Sequence, residues 1–551
     1  MKATNIGLSV LGAATGLVTL RAVRRRLDLS RAKHPGLVGH VRMAKRASGF
    51  IPQYAFGPDE FYTADGAPDD VVAQRRASFA QLAETYETRF PKSAALSREA
   101  ANGIPDVDFT STYRVPFQFS PLVKQHLYSG SFYEASEGVM LTDLDGNRFY
   151  DLTGSYGVNL LGVDAYRELV DEGIAATREL GPALAGLHPV VADNVSRLKA
   201  ITGLDAVSFH MSGTEAVMQA VRLARYHTGK RRLVRFAGAY HGWWGDVQPG
   251  IGNPVPADNT LTLADMSDKT LKVLATRKDI ACVLVNPLQF MHPNKNAPGD
   301  STLVSGRQAA NTERAAYSEW LQKLQATCRE AGVVFIMDEV FSGFRLAPRG
   351  ACEYFGVEPD MVTFGKTLGG GLPVGVVCGR ADLMKRYRED KPADICFARG
   401  TFNSHPYVMG AMNAFLRYME TPEARALYEG VDECWNDRAA SLNAKLATGG
   451  YPVHVVNLGT IWSVTFTRPG RYHWMLQFYL RAQGLALSWV GSGRLIFSLA
   501  YGDAEFAEVE ACFLRAAEQM EAGGWWWDEG EDAGKNIRRR LIREMVSHFF
   551  A

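Results

Sequence analysis

The stretch Val362-Thr363-Phe364-Gly365-Lys366-Thr367-Leu368-Gly369-Gly370-Gly371-Leu372-Pro373 decides how this chain is read. A short apolar run ends on Lys366, and three consecutive glycines follow. A lysine in that setting is desolvated, which lowers its pKa and suits an amine that condenses with a carbonyl. Gly369 to Gly371 let the backbone pass close to a bound ligand. A nucleotide-binding P-loop also combines glycine and lysine. Its glycines precede the lysine in a GxxxxGK[ST] frame, however, and here only Thr367 matches.

Two neighbouring motifs extend this reading. Phe335-Ile336-Met337-Asp338-Glu339-Val340 is an apolar strand ending in two carboxylates. Carboxyl ends of strands are where open α/β sheets bind ligands. A carboxylate buried there needs a partner. A protonated pyridine nitrogen is one; a metal ion or solvent at the strand end are the alternatives. Met211-Ser212-Gly213-Thr214-Glu215-Ala216 stands between an apolar run ending at Phe209 and a helical pattern through Tyr226. Small hydroxyl and glycine residues at a helix start offer N–H groups and hydroxyls to an anion. The same residues also make an ordinary helix cap.

From about 160 to 405, apolar runs (206–209, 233–236, 281–285, 333–337 and 361–364) alternate with helical patterns. That alternation predicts a mainly parallel sheet covered on both faces. Before it, Val139-Met140-Leu141, Asp145-Gly146-Asn147 and Phe149-Tyr150 predict a hairpin turned by Asp-Gly. After it, helices alternate with strands at 452–458, 461–466 and 494–499, read as exposed and as a smaller α+β domain; Arg494 is read as an exposed strand arginine, with a carboxylate-binding role as the alternative. The expected organisation is 1–26 as an apolar segment, 27–110 as an extension, 111–160 as the first part of the small domain, 161–405 as the large domain with an insertion at 291–313, 406–524 as the rest of the small domain, and 525–551 as a tail.

Together the motifs resemble the class III, fold-type I aminotransferases that use pyridoxal 5'-phosphate, with the glutamate-1-semialdehyde aminomutase branch nearest. SGTEA, Tyr240-His241-Gly242, DEVxxGFR (Asp338 to Arg345), EYFGVxPD (Glu353 to Asp360) and GKxxGGGLPVG (Gly365 to Gly375) stand in the family's order, and the likeness runs from about 130 to 520. The resemblance implies a seven-stranded, mainly parallel sheet in the large domain. It makes Lys366 the Schiff-base lysine and proton carrier and Asp338 the partner of the pyridine nitrogen. Val340 would pack under the ring, Tyr240 would stack on its other face, and Ser212, Gly213 and Thr214 would hold the phosphate. Thr401 would reach the phosphate of a neighbouring subunit, which implies a homodimer, and Tyr156 would line the substrate pocket. Three departures bear on the substrate more than on the cofactor: Asn286-Pro287 replaces the usual Glu-Pro, Met211 replaces the usual Asn, and Gly162-Val163-Asp164-Ala165 replaces a His-Pro stretch.

The expected activity is transfer of an amino group from an amino-acid donor to a ketone or aldehyde acceptor. An intramolecular aminomutase is the first alternative, and a binding or scaffold protein on a decayed enzyme fold is the second. The scaffold reading predicts loss of Lys366, Asp338 or the phosphate turn, and all are present. A synthase joining an acyl thioester to an amino acid shares the broad fold, but the spacing after Lys366 argues against it.

Across 551 residues, 60 Lys+Arg stand against 59 Asp+Glu, a balance with no general pull toward nucleic acid. Seven scattered cysteines without a CxxC pair suit a reducing compartment, which places the catalytic body in the cytoplasm. The ends suggest membrane association. The apolar run Ile6 to Leu20, with Gly12 and Gly16 spaced for helix packing, is followed at once by Arg21, Arg24, Arg25 and Arg26. It is shorter than the roughly 20 residues of a spanning helix, so a terminal helix packed on the protein is the alternative. Trp525, Trp526 and Trp527 suggest an interfacial belt. The 537–550 pattern is a basic amphipathic helix for a membrane surface or a partner, or one docked on its own domain.

Overall fold

The computed structural model of the chain describes residues 22–33, 39–128, 132–288, 314–488 and 493–550. The run at 6–20 and the insertion at 291–313 lie outside them. The central sheet has seven strands in the spatial order Ala206–His210, Gly375–Gly379, Met361–Gly365, Val334–Asp338, Ile280–Val285, Arg232–Phe236 and Thr260–Leu263. Only Gly375–Gly379 runs antiparallel, against both of its neighbours; the other pairings are parallel. The sheet is therefore mainly parallel, as the alternating pattern predicts. Ile280–Val285, Val334–Asp338 and Met361–Gly365 are buried along their whole length, which explains why they read as continuous apolar runs. Two strands escape the sequence pattern: Thr260–Leu263, with two threonines, and Gly375–Gly379, bounded by glycines.

Helices cover both faces. One core holds Tyr317, Leu321 and Leu324 of the helix Arg314–Ala331 together with Met409, Met412 and Phe415 of Pro406–Met419. The other holds Val217, Ala220, Val221 and Ala224 of Gly213–Thr228.

The hairpin is present as Met140–Asp143 and Arg148–Asp151, paired antiparallel. It belongs to a four-stranded sheet whose last member, Leu485–Ala486, comes from far along the chain and pairs parallel with Tyr150 and Asp151. A third core unites this sheet with residues of both chain ends. Phe61, Phe79, Tyr86 and Phe90 pack there with Trp435, Trp462, Trp474, Trp525 and Trp526. The extension is thus part of the smaller unit. Its helix Asp69–Arg89 buries Val71, Phe79, Leu82 and Tyr86. Arg75, fully buried, pairs with Asp65 at 2.7 Å and donates from Nε to the carbonyl of Gly524 at 2.9 Å.

The structure corrects two of these expectations. Val453–Leu458 and Ile461–Phe466 are not exposed strands: they pair with each other and are largely or wholly buried. Trp525 and Trp526 are 1% and 3% exposed, so they are core residues and form no interfacial belt; the Trp525 indole donates to the Tyr479 hydroxyl at 2.9 Å. The amphipathic pattern at the C-terminus forms the helix Ala533–Phe550 and docks one edge on the domain, burying Ala533 and Ile537. Among the described residues no helix is long and apolar enough to cross a membrane.

Candidate active site

Lys366 and Asp338 stand at the carboxyl ends of adjacent parallel strands. Asp338 pairs in register with Thr363, and Lys366 follows three residues later. The chain turns sharply at Lys366, which adopts φ 47° at the start of a single 3₁₀ turn, Lys366–Gly369. A left-handed backbone at a non-glycine residue costs on the order of 1 kcal/mol and is held here by its surroundings. The Thr367 hydroxyl bonds to that of Tyr166, and both are buried. Burial pushes the Lys366 amine below the usual lysine range; the Asp338 carboxylate opposes this shift and the Arg345 guanidinium adds to it.

Asp338 is 3% exposed and its acceptors are well occupied. Oδ1 accepts from the Val340 N–H and the Thr363 hydroxyl, each at 3.1 Å. Oδ2 lies 2.6 Å from Nδ1 of His241. Burial holds the His241 pKa below its ordinary value although Asp338 pulls the other way, and a neutral ring that donates to a carboxylate carries its proton on Nδ1. Oδ2 keeps a second lone pair for one further donor. Glu339, the second carboxylate of the motif, turns away. It accepts from the N–H groups of Ala351 and Cys352 at 2.6 and 2.8 Å and so caps the short helix Ala351–Phe355.

Ser212 caps the helix Gly213–Thr228, accepting from the Glu215 N–H at 3.3 Å, while the Glu215 carboxylate reaches back to the Met211 N–H at 3.0 Å. The reciprocal cap leaves the N–H groups of Gly213 and Thr214 at a positive helix end. Glycines make the surrounding wall. A Cβ on Gly213 would collide with Val340, one on Gly242 with Thr214, and one on Gly375 with the Ser212 carbonyl. These contacts bring Ser212, Gly213, Thr214 and Val340 to one place, beside the His241 that holds Asp338.

Tyr240 is 61% exposed at the adjoining turn, free to present its ring. Asn286, one of the departures, donates from Nδ2 to the Tyr240 carbonyl at 3.0 Å and so fixes that turn. Tyr156 is half-exposed, at φ 57° in the tight turn Gly154–Gly157. Phe341 links this turn to the lysine: a Cβ on Gly157 would lie 2.7 Å from the Phe341 ring and 3.3 Å from Cδ of Lys366. Nζ of Lys366 sits 5.6 Å from the centre of that ring. The Arg494 guanidinium lies 5.9 Å from the same ring, and burial brings its pKa down to about 10. Arg494 is therefore a partly buried residue at the site, contrary to its reading as an exposed strand arginine. Thr401 is exposed in the turn before the helix Pro406–Met419, and among the described residues no hydrogen bond joins it to the others.

Arg345 completes the arrangement. Its guanidinium is buried and donates to the carbonyls of Phe497 (2.9 Å), Gly157 (3.2 Å) and Asn159 (2.9 Å) and to the Thr460 hydroxyl (3.2 Å). It ties the small unit and the Tyr156 turn to the strand end that carries Asp338. His241 and Arg345 stand inside motifs legible in the sequence, yet no role follows from their positions there. Phe341 occupies a position the motif leaves open, and nothing in the sequence singles it out.

The donor set fits pyridoxal 5'-phosphate. It offers a helix end and hydroxyls for a phosphate, an anchored carboxylate with a spare lone pair for a pyridine N–H, a desolvated lysine, and a glycine-lined wall where side chains would intrude.

Known proteins agree with this geometry. The family model described as "Aminotransferase class-III" matches residues 123–246 and 307–514. Its gap spans most of the insertion. The glutamate-1-semialdehyde 2,1-aminomutase of Geotalea daltonii is 31% identical over 409 residues, covering 70% of this chain and 86% of that protein. A solved transaminase with pyridoxal phosphate bound superposes with a TM-score of 0.64 at 26% identity, over 79% of this chain and 99% of its own. A glutamate-1-semialdehyde aminomutase from Pseudomonas aeruginosa shares the fold, with a TM-score of 0.63 at 19% identity, over 82% of this chain and 99% of its own.

Proposed function

The chain belongs to the class III aminotransferases, enzymes that work with pyridoxal 5'-phosphate, and from that premise we propose that it moves an amino group from an amino-acid donor to a ketone or aldehyde acceptor. The observation that carries this reading is the junction of Lys366, Asp338 and the Ser212–Thr214 helix start at the carboxyl end of the sheet. The cofactor supplies the electron sink that makes the bond between the substrate carbon and its proton labile. Lys366, its pKa lowered by burial, is the covalent anchor and the base that moves the proton between carbon atoms. Asp338, fixed by three hydrogen-bond partners, would pair with the ring nitrogen, and His241 orients Asp338. Val340 and Tyr240 would take the two ring faces, Ser212, Gly213 and Thr214 would hold the phosphate, and Thr401 would serve the phosphate site of a second subunit in a homodimer.

Substrate selection falls to Tyr156, Phe341 and Arg494 around Lys366. We assign a hydrophobic carbonyl acceptor and place the catalytic body on the cytoplasmic side of a membrane. The supports are the apolar run at 6–20, with its arginine flank, and the apolar Phe341 ring beside Lys366. A second reading, the intramolecular aminomutase, is favoured by the relatives named for that reaction.

A screen of donors against acceptors tests both. Transfer predicts turnover only with both substrates present and a preference for long-chain acceptors. Turnover of a single amino-aldehyde without added donor would select the aminomutase, and equal activity on short and long acceptors would remove the hydrophobic assignment.

A further inference from the structure

The helix Ala533–Phe550 is held along one edge and bare along the other. On the held edge, Ala533 and Ile537 are buried and the Glu544 carboxylate pairs with Arg471 at 2.5 Å. The His548 ring stacks on Tyr54 at 4.5 Å, and Arg540 pairs with Glu529. On the bare edge, Ile542, Val546 and Phe549 recur at four- and three-residue spacing and are 57%, 50% and 55% exposed, with Phe550 beside them at 81%. Arg538 flanks this stripe on one side, and Arg539 and Arg543 on the other. All three are exposed, and among the described residues none forms an ion pair. The Tyr54 that stacks on His548 belongs to a segment that exposes Phe50 and Ile51, at 69% and 47%, and Arg46.

We propose that this edge is a docking surface for an anionic lipid bilayer, with the helix lying in the plane of the headgroups. An apolar stripe this narrow sinks only to the headgroup boundary, where flanking arginines reach lipid phosphates. The charge pattern selects that occupant over a second copy of the chain. A two-fold contact through the same edge would set Arg538, Arg539 and Arg543 against their own equivalents. The held edge fixes the orientation, so the protein meets the bilayer on a defined side. This inference rests on the membrane placement proposed above and locates it on named residues.

Hydrogen exchange of the full-length holoenzyme tests it, with vesicles of phosphatidylcholine alone or mixed with phosphatidylglycerol. Exchange across 538–550 is expected to slow on the anionic vesicles only, and less at high salt. The triple variant R538E/R539E/R543E is expected to weaken docking of this helix by roughly a hundredfold. V546D/F549D is expected to abolish it, and both variants should keep the wild-type cofactor absorbance and melting temperature. Co-flotation with the vesicles while exchange at 538–550 stays unchanged would overturn the inference and leave the membrane placement standing. Absence of co-flotation would overturn both. Protection that appears without lipid and grows with protein concentration would assign the edge to a second copy, and equal protection on neutral vesicles would remove the anionic requirement.

Discussion

The Nδ1 of His241 lies 2.6 Å from Oδ2 of Asp338, inside a wall that leaves both side chains almost fully buried. The histidine holds the carboxylate by a charge-assisted bond in a low-dielectric setting. Such a bond contributes about 1.5–3 kcal/mol. His241→Ala is therefore expected to lower kcat roughly ten- to hundredfold while the enzyme still binds its cofactor. Steady-state kinetics beside the visible spectrum separates the two effects; unchanged kcat would remove the orienting role.

Lys366→Ala removes the group proposed as both the covalent anchor and the moving base. Turnover is expected to fall by at least about a thousandfold, and the visible band of the lysine-bound cofactor should vanish. Full activity in this variant would overturn the assignment of Lys366.

Gly375 faces the Ser212 carbonyl so closely that an added methyl must displace the turn proposed to hold the phosphate. Gly375→Ala is expected to weaken cofactor binding at least about tenfold, as one lost hydrogen bond to a charged group would. Titration of apo-protein with pyridoxal phosphate reads this directly. Unaltered affinity would mean the turn shifts without loss.

Arg345 supplies four buried acceptors, three of them carbonyls. Arg345→Met keeps the bulk and strands those acceptors, at an expected cost of about 3 kcal/mol or more. Urea unfolding measures it, and a change under about 1 kcal/mol would show that water replaces the guanidinium.

His210 is buried and its pKa is lowered to about 4, first by burial and then by Arg386. In the unfolded chain the ring takes up its proton near pH 6.5. The unfolded state thus binds more protons between about pH 6.5 and 4, so stability is full above the upper value and falls with pH through that window, by up to roughly 3 kcal/mol. Denaturation of wild type and His210→Gln at pH 7 and pH 5 should show a shallower loss in the variant; equal losses would place the acid sensitivity elsewhere.

Strands buried on both sides announce themselves as apolar runs, which made the sheet and the positions of Lys366 and Asp338 readable. Gly375–Gly379 did not, because its close pairing favours glycine at both ends over a distinctive pattern. Trp525 and Trp526 read as interfacial for a physical reason: indoles suit an interface and a core alike, and only the partners across the chain, Tyr479 and Tyr451, tell them apart. Arg494 likewise reads as an exposed strand residue until the fold brings Phe341 beneath it. His241 and Arg345 were visible as letters, but their roles depend on distances that no spacing encodes.

The buried Arg75 reaches from the first hundred residues to the carbonyl of Gly524, and Arg471 grips both Ala64 and Glu544. On a translating ribosome, Phe61, Phe79 and Tyr86 therefore have no complete core to enter until about four hundred further residues have been made and Trp526 has left the exit tunnel. The nascent chain must carry these apolar side chains without their full core while the later segments are made. Its demand for chaperones, and its sensitivity to stalling before Trp526 emerges, should both follow from that late closure.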